Sequence, residues 1–203
     1  MDLHQNERPV AVFTVGYVVV FTIWFVSSGN YEFVVYVVSM LVLIGLVGKS
    51  LRTAEYPVAM LWALSAWGFL HMAGGGVPVD GSVLYSLQIV PITPADGEMR
   101  LLKYDQVVHA FGFGVTAWVL WHLLRRNFPQ MIGTKTILIF PALASMGLGA
   151  VNEIIEFIAV LSVPETNVGG YLNTALDLVF NAFGAVLTML LIAVFASREQ
   201  LHA

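Results

Sequence analysis

The sequence predicts an all-α, polytopic membrane protein. It should have six transmembrane helices, an interfacial or re-entrant segment between spans three and four, and one integral membrane domain over residues 1–203. Three observations predict this. Hydrophobic residues make up 58% of the 203 residues and charged residues only 11%, giving a mean hydropathy of +0.81. The apolar residues gather in six runs, each near the roughly 20 residues a helix needs to cross a bilayer. No long polar linker and no internal repeat divides the chain.

Each element follows from a run and its flanks. Met1–Pro9 is short and polar, and the apolar run after it lacks a small-residue cleavage signature, so that run reads as a retained helix. The spans cover about Pro9–Ser27, Tyr31–Gly48, Tyr56–Met72, Tyr104–Leu124, Ile137–Val163 and Asn173–Ala196. Pro57 suits an early helix position. Gly74-Gly75-Gly76 reads as a helix terminus, and Gly169-Gly170 as the turn before span six. Phe111-Gly112-Phe113-Gly114 lies inside span four, where close helix packing explains it better than a phosphate loop; Gly147 and Gly149 suit the same use. Trp62, Trp67, Trp118 and Trp121 read as packing or belt residues, and His122, beside Arg125, as interfacial. The connection Gly74–Lys103 contains Val83–Pro94, an apolar stretch with Tyr85, too short to span and ended by Pro91 and Pro94. It reads as a re-entrant or interfacial lid or lateral gate for an amphiphile, or as a plain interfacial loop.

Composition also removes function classes. The net charge is −4 and there is no basic block, so no nucleic-acid partner is expected. Cysteine is absent, which excludes a disulfide framework and a Cys-ligated zinc site.

Orientation comes from lysine and arginine. Arg8, Lys49, Arg52, Arg125, Arg126, Lys135 and Arg198 fall on the side of the termini, and only Arg100 and Lys103 on the other. The positive-inside rule therefore places both termini in the cytoplasm of a multi-pass protein of the cell (cytoplasmic or inner) membrane. His71 then lies near the outer end of span three, and Asp105 at the outer mouth of span four with His109 one turn deeper. Glu153 and Glu156 occupy the second half of span five, and Asp177 and Asn181 the first two turns of span six. At 1.5 Å per residue most of these groups lie within roughly 5–15 Å of the outer helix ends.

Such groups are rare inside a bilayer, where a carboxylate costs roughly 2.5–3.5 kcal/mol unless paired, hydrated or metal-bound. Asp105 and His109 are i,i+4, as are Asp177 and Asn181, while Glu153 and Glu156 are i,i+3, so each pair shares a helix face. Two carboxylates that close repel when ionised, so one should hold its proton more tightly unless a cation or a charged histidine sits between them. Gly184, on nearly the same stripe as Asn181, offers a close helix approach. Structural readings stand beside these. Asp105 would serve as a helix cap, His109 as a satisfied core histidine with Asp105 fixing its tautomer, and Asp177 as a carboxylate favoured by the helix dipole. Glu153 and Glu156 fit a structural role least, and His71 is the weakest member of the set.

At these residues the chain resembles a known group. Tyr104-Asp105-Gln106-Val107-Val108-His109, Asn152-Glu153-Ile154-Ile155-Glu156, and Asn173-Thr174 with Asp177 and Asn181-Ala182-Phe183-Gly184 resemble the VanZ-like superfamily. The closer branch is the YjdF-like (DUF2238) membrane proteins, which Leu70-His71-Met72-Ala73-Gly74-Gly75, Tyr85 and Pro91 also resemble. The resemblance covers about residues 65–190. It departs at Thr166-Asn167-Val168-Gly169-Gly170 and Asn173-Thr174-Ala175, where acidic and amide positions of that branch are missing. VanZ-type members are associated with glycopeptide (teicoplanin) resistance, so the resemblance implies envelope or lipid-linked chemistry, with no defined reaction.

Two function classes follow. The first is an intramembrane, metal-dependent hydrolase or transferase acting on an amphiphilic or lipid-linked substrate. Its catalytic set is Asp105, His109, Glu153, Glu156 and Asp177, with Glu156 or Asp105 as general base. Its metal set is His71, His109, Glu153 and Glu156. Imidazole and carboxylate suit a divalent zinc, iron or manganese ion, whose chemistry is hydrolysis or transfer. The second is a non-catalytic protein that binds or transports an ion or amphiphile. The partners are membrane lipids and an amphiphilic or lipid-linked small molecule.

Overall fold

The computed structural model describes residues 3–94, 97, 99–162 and 169–201. Val163, the expected end of span five, and the Thr166-Asn167-Val168 departure lie outside the described residues. Six helices follow one another: α1 (Arg8–Ser28), α2 (Tyr31–Ala54), α3 (Val58–Gly76), α4 (Tyr104–Asn127), α5 (Thr136–Ser162) and α6 (Tyr171–Leu201). All six are long and apolar enough to cross a membrane.

Local chemistry sets the turns. α1 ends at Gly29, whose φ of 70° is left-handed, and the Asn30 amide reaches back to Phe25 O at 2.9 Å. The Asn30 side chain then accepts the Phe33 N–H and so opens α2. One residue thereby closes one helix and starts the next. Most helices run beyond their apolar runs. α2 continues through Lys49 and Arg52 to Ala54, because basic side chains at a helix end favour its dipole and reach toward water.

α3 continues through all three glycines to Gly76, so these glycines remain helical. They form the expected helix terminus as its last turn, and they also allow close approach. A Cβ on Gly74 would lie 2.5 Å from the Tyr85 ring and one on Gly76 2.7 Å from Phe21, and one on Gly75 would overlap Phe33. Gly147 differs from the packing expected for it, since nothing lies within 4 Å of a Cβ built there.

Two halves pack side by side. α1, α2 and α3 share an aromatic-rich core of Tyr17, Phe25, Phe33, Tyr36, Met40 and Met72. α4, α5 and α6 meet around three alanines and a methionine, Ala117, Ala142, Ala185 and Met189. α4 is common to both halves, touching α3 as well as α5 and α6. Gly112 seats the Trp67 ring of α3, and Gly184 lies so close to Ala110 O that any side chain there would overlap it. That approach, expected of Gly184, holds α4 against α6.

Among its described residues, the α3–α4 connection holds no α-helix and no membrane-length strand. It begins with a hairpin, β1 (Pro78–Val79) against β2 (Ser82–Val83). The turn residues Asp80 and Gly81 both have positive φ, 48° and 78°, as a two-residue hairpin turn of this hand requires. A 3₁₀ turn over Leu84–Ser86 follows. The Ile89 amide bonds Leu102 O and the Tyr104 amide bonds Leu87 O, both at 2.8 Å, so the two limbs of the connection are strapped together. The Tyr104 hydroxyl donates to Leu70 O at 3.1 Å, fastening the start of α4 to the end of α3.

Candidate functional site

The polar groups gather at the end of the bundle where α3 finishes and α4 and α6 begin. The start of α4 is fixed by Gln106, which is fully buried. Its Oε1 accepts the Lys103 N–H at 3.2 Å and its Nε2 donates to Arg100 O at 2.9 Å. Asp105 and His109 follow on one face, with Asp105 Oδ1 3.4 Å from His109 Nε2. The one-turn spacing therefore does bring the acid onto the imidazole.

His109 is the hub. Its Nδ1 lies 2.9 Å from Asn181 Oδ1 of α6 and 3.7 Å from Glu153 Oε1 of α5. Its Nε2 lies 4.0 Å from Glu156 Oε1, besides the Asp105 contact. Asn152 donates to Glu156 Oε1 at 2.9 Å. Asp177 joins through Asn173, whose Nδ2 donates to Asp177 Oδ2 at 2.5 Å and to Asp105 Oδ2 at 3.4 Å. Lys103 closes the mouth, donating to Asp105 Oδ2 at 3.3 Å and to Asn173 Oδ1.

These partners do not exhaust the acceptors. Glu153 is 8% exposed and Asp177 fully buried, yet both Glu153 oxygens and Asp177 Oδ1 lack any hydrogen-bond partner. A buried unpartnered carboxylate oxygen loses hydration without recovering it. Four carboxylates meet here, and among the described residues Lys103 and His109 form ion pairs with three of them, Asp105, Glu153 and Glu156. Two ligand groups result, Asp105–His109–Asp177 and His109–Glu153–Glu156, each with ligand atoms within 4.8 Å of one another. Carboxylate oxygens with an imidazole nitrogen suit divalent zinc, iron or manganese, so the residues present fit a divalent metal.

His71 stands apart. It belongs to neither group, and its Nδ1 is hydrogen-bonded to the Tyr85 hydroxyl. Tyr36, Trp67 and Tyr85 surround its ring at centroid distances of 5.5–5.9 Å. Burial pushes the Tyr85 phenol well above its ordinary pKa, and the Asp105 and Glu156 carboxylates push it further. Tyr85 therefore keeps its O–H. With the phenol as donor, Nδ1 of a neutral His71 is the acceptor and its ring proton lies on Nε2.

Lys103, Asn173, Gln106 and Tyr85 were not among the expected site residues. A spacing rule already applied to the acids would have found one of them. Asn173 stands four residues before Asp177, as Asn152 stands four before Glu156, so each amide shares a face with the acid it serves. Lys103 was visible as one of two basic residues on its side of the bundle. Tyr85 carried no such signal, because the turn that delivers it depends on contacts across the connection.

A family described as "Predicted membrane protein (DUF2238)" matches residues 9–198. No curated protein and no solved structure matches the chain.

Proposed function

The chain belongs to the DUF2238 family of predicted membrane proteins, and on that footing we propose that its polar cluster is a divalent-cation site of an intramembrane enzyme. The observation that carries this reading is the set of deeply buried carboxylate oxygens, on Glu153 and Asp177, that surround His109 without a hydrogen-bond partner. His109 with Asp105, Asp177, Glu153 and Glu156 supplies the ligands; His71 lies outside both ligand groups.

When bound, such an ion would polarise an ester or phosphoryl oxygen and ready a water for attack. The protein's own groups do the rest. Glu156, 13% exposed at its side chain and held by Asn152, is placed to take a proton when the ion lies with Asp105 and Asp177. Asp105 at the mouth is the base when the ion lies with Glu153 and Glu156. Lys103 and Asn173 hold Asp105 in position. The strapped α3–α4 connection lies at the same end of the bundle. We assign an amphiphilic or lipid-linked substrate of the cell envelope, and hydrolysis or group transfer as the reaction. The wider likeness to VanZ-like proteins at residues 104–109, 152–156 and 173–184 belongs to this proposal. So do the cytoplasmic termini and the outer-leaflet placement of the site.

Metal content of detergent-purified protein tests the reading. Near-stoichiometric zinc, iron or manganese in the wild type, lost in a His109→Ala/Glu153→Ala double variant, is expected. Equal metal in both proteins sinks it. Because the chain has no cysteine, single cysteines test the orientation. Val79→Cys should react with an impermeant thiol reagent on intact cells and Met131→Cys should not; the reverse overturns the outer placement.

A non-catalytic ion- or amphiphile-binding role has one observation in its favour. The crevice of about 420 Å³ between α3, α4 and α6 is lined by Val107, Ala110, Phe111, Phe183 and other mostly apolar residues, not by the acids. Turnover of a lipid-linked phosphate or ester by the metal-loaded protein separates the two roles.

A further inference from the structure

The two ligand groups share one imidazole, and a neutral imidazole has a single lone-pair nitrogen. Only one group at a time can therefore use His109 as a ligand. We propose that Asn181 decides which: its Oδ1 accepts a hydrogen bond from His109 Nδ1–H, leaving Nε2 as the metal-binding nitrogen and the Asp105–His109–Asp177 group as the cation site. The proposal rests on the metal reading above and assigns the ion to one side of the ring.

Geometry carries the choice. Asn181 Oδ1 stands 2.9 Å from Nδ1, and a carbonyl oxygen can only accept, so Nδ1 is the N–H. The opposite nitrogen, Nε2, faces Asp105 Oδ1 at 3.4 Å, with Glu156 Oε1 next at 4.0 Å. Asp177 completes that group, and its Oδ1 is buried with no partner of its own. Glu153 lies on the other side, 3.7 Å from the nitrogen that Asn181 engages. An ion bound beside Glu153 through Nδ1 would have to displace the Asn181 contact.

Asn181 is itself held. It is 1% exposed, and α5 makes room for it with a glycine: a Cβ at Gly149 would lie 2.7 Å from Asn181 Nδ2 and 3.1 Å from its Cβ and Cγ. The amide nitrogen faces α5, where it is buried with no hydrogen-bond partner, while the oxygen faces the histidine. A ligand imidazole oriented by a hydrogen bond through its other nitrogen is a general feature of metal sites, and losing that bond typically weakens affinity about 10–100-fold. Asn181 is therefore a positioning residue that need not touch the ion. Gly149 acts one step further out.

Titration of the metal-stripped, detergent-solubilised protein with Zn2+ and Mn2+ tests this, together with the 15N shifts of the His109 ring. Wild type should bind, with His109 as the Nδ1–H tautomer. Asn181→Ala should weaken binding about 10–100-fold, and Asn181→Asp, which keeps an acceptor, should recover most of it. Asp177→Asn should weaken binding at least tenfold more than Glu153→Gln. Gly149→Ala should shift the His109 ring signals and weaken binding less than Asn181→Ala. Asn181→Ala with wild-type affinity, no recovery in Asn181→Asp, or a larger loss in Glu153→Gln than in Asp177→Asn would each overturn the assignment. Failure of the wild type to bind either ion would instead overturn the metal reading beneath it.

Discussion

The two ends of the bundle treat acidic residues in opposite ways. At the end that carries the start of α1, each acid with a structural role has its own arginine. Glu7 meets Arg52 at 3.2 Å and Glu55 meets Arg126 at 2.7 Å. Both pairs join ends of different helices, α1 to α2 and α2 to α4, and both arginines reach solvent. At the other end four carboxylates meet, three of them paired with Lys103 or His109, and three carboxylate oxygens have no hydrogen-bond partner. The first arrangement is complete by itself and fastens helix ends. The second leaves buried acceptors unpartnered, an unfavourable burial that a bound cation would offset. On the proposed reading, the difference separates charge used for folding from charge held for a ligand.

The strongest way to break this comparison is to remove the ion. Chelation should lower the melting temperature of the wild type, because a ligand at 100 times its Kd stabilises by about 2.7 kcal/mol. His109→Ala should melt at the same temperature with and without chelator. A chelation effect that survives in His109→Ala would place the ion elsewhere.

A second contrast damages the two ends equally and asks which one loses metal. Gly184→Val forces a side chain into Ala110 O and should cost about 1–3 kcal/mol or more by overpacking, prising α4 from α6. Met60→Ala empties a fully buried position in the core near the other end, at about 2–5 kcal/mol. Thermal unfolding in detergent should register both changes, and metal titration should register only the first. Equal metal loss would mean that the site merely reports global stability.

Tyr85→Phe is subtler. It deletes the hydroxyl at His71 and should cost about 0.5–1.5 kcal/mol, with no change in metal affinity. A large affinity loss would return His71 to the ligand set.

The smallest effect belongs to the Glu55–Arg126 pair. The Arg126 guanidinium holds the Glu55 carboxyl below its usual range. A lowered folded-state pKa contributes stability that is full above the unfolded carboxylate's pKa and fades as pH falls through the lowered value. Glu55 is 65% exposed at its side chain, so Arg126→Ala should reduce the melting temperature only slightly at neutral pH. The two melting curves should converge in acid, and metal content should not change.

Much of the fold was legible because a bilayer imposes one rule, that backbone groups be satisfied within each helix. The run lengths of 9–27, 104–124 and their counterparts follow from it. The polar cluster was legible for a related reason: Asp105 with His109 and Glu153 with Glu156 stand out in apolar surroundings, and one-turn spacing aligns each pair. What escaped depended on contacts between helices. Gly74–Gly76 do end α3, as expected, but that they also seat the rings of Tyr85, Phe33 and Phe21 was not legible. His71 looked like a ligand, yet Tyr85, fourteen residues on, engages its Nδ1. The amide partners Asn173 and Asn152 were within reach of the same spacing rule that found the acids.

The central claim is that a cation sits at His109 among buried carboxylates. Anomalous diffraction from crystals of the metal-loaded protein, recorded at the absorption edge of the bound element, tests it most directly. The account predicts a peak about 2.0–2.2 Å from His109 Nε2 and from oxygens of Asp105 and Asp177. A peak coordinated by other residues, or a fully loaded protein with no peak at His109, would contradict it.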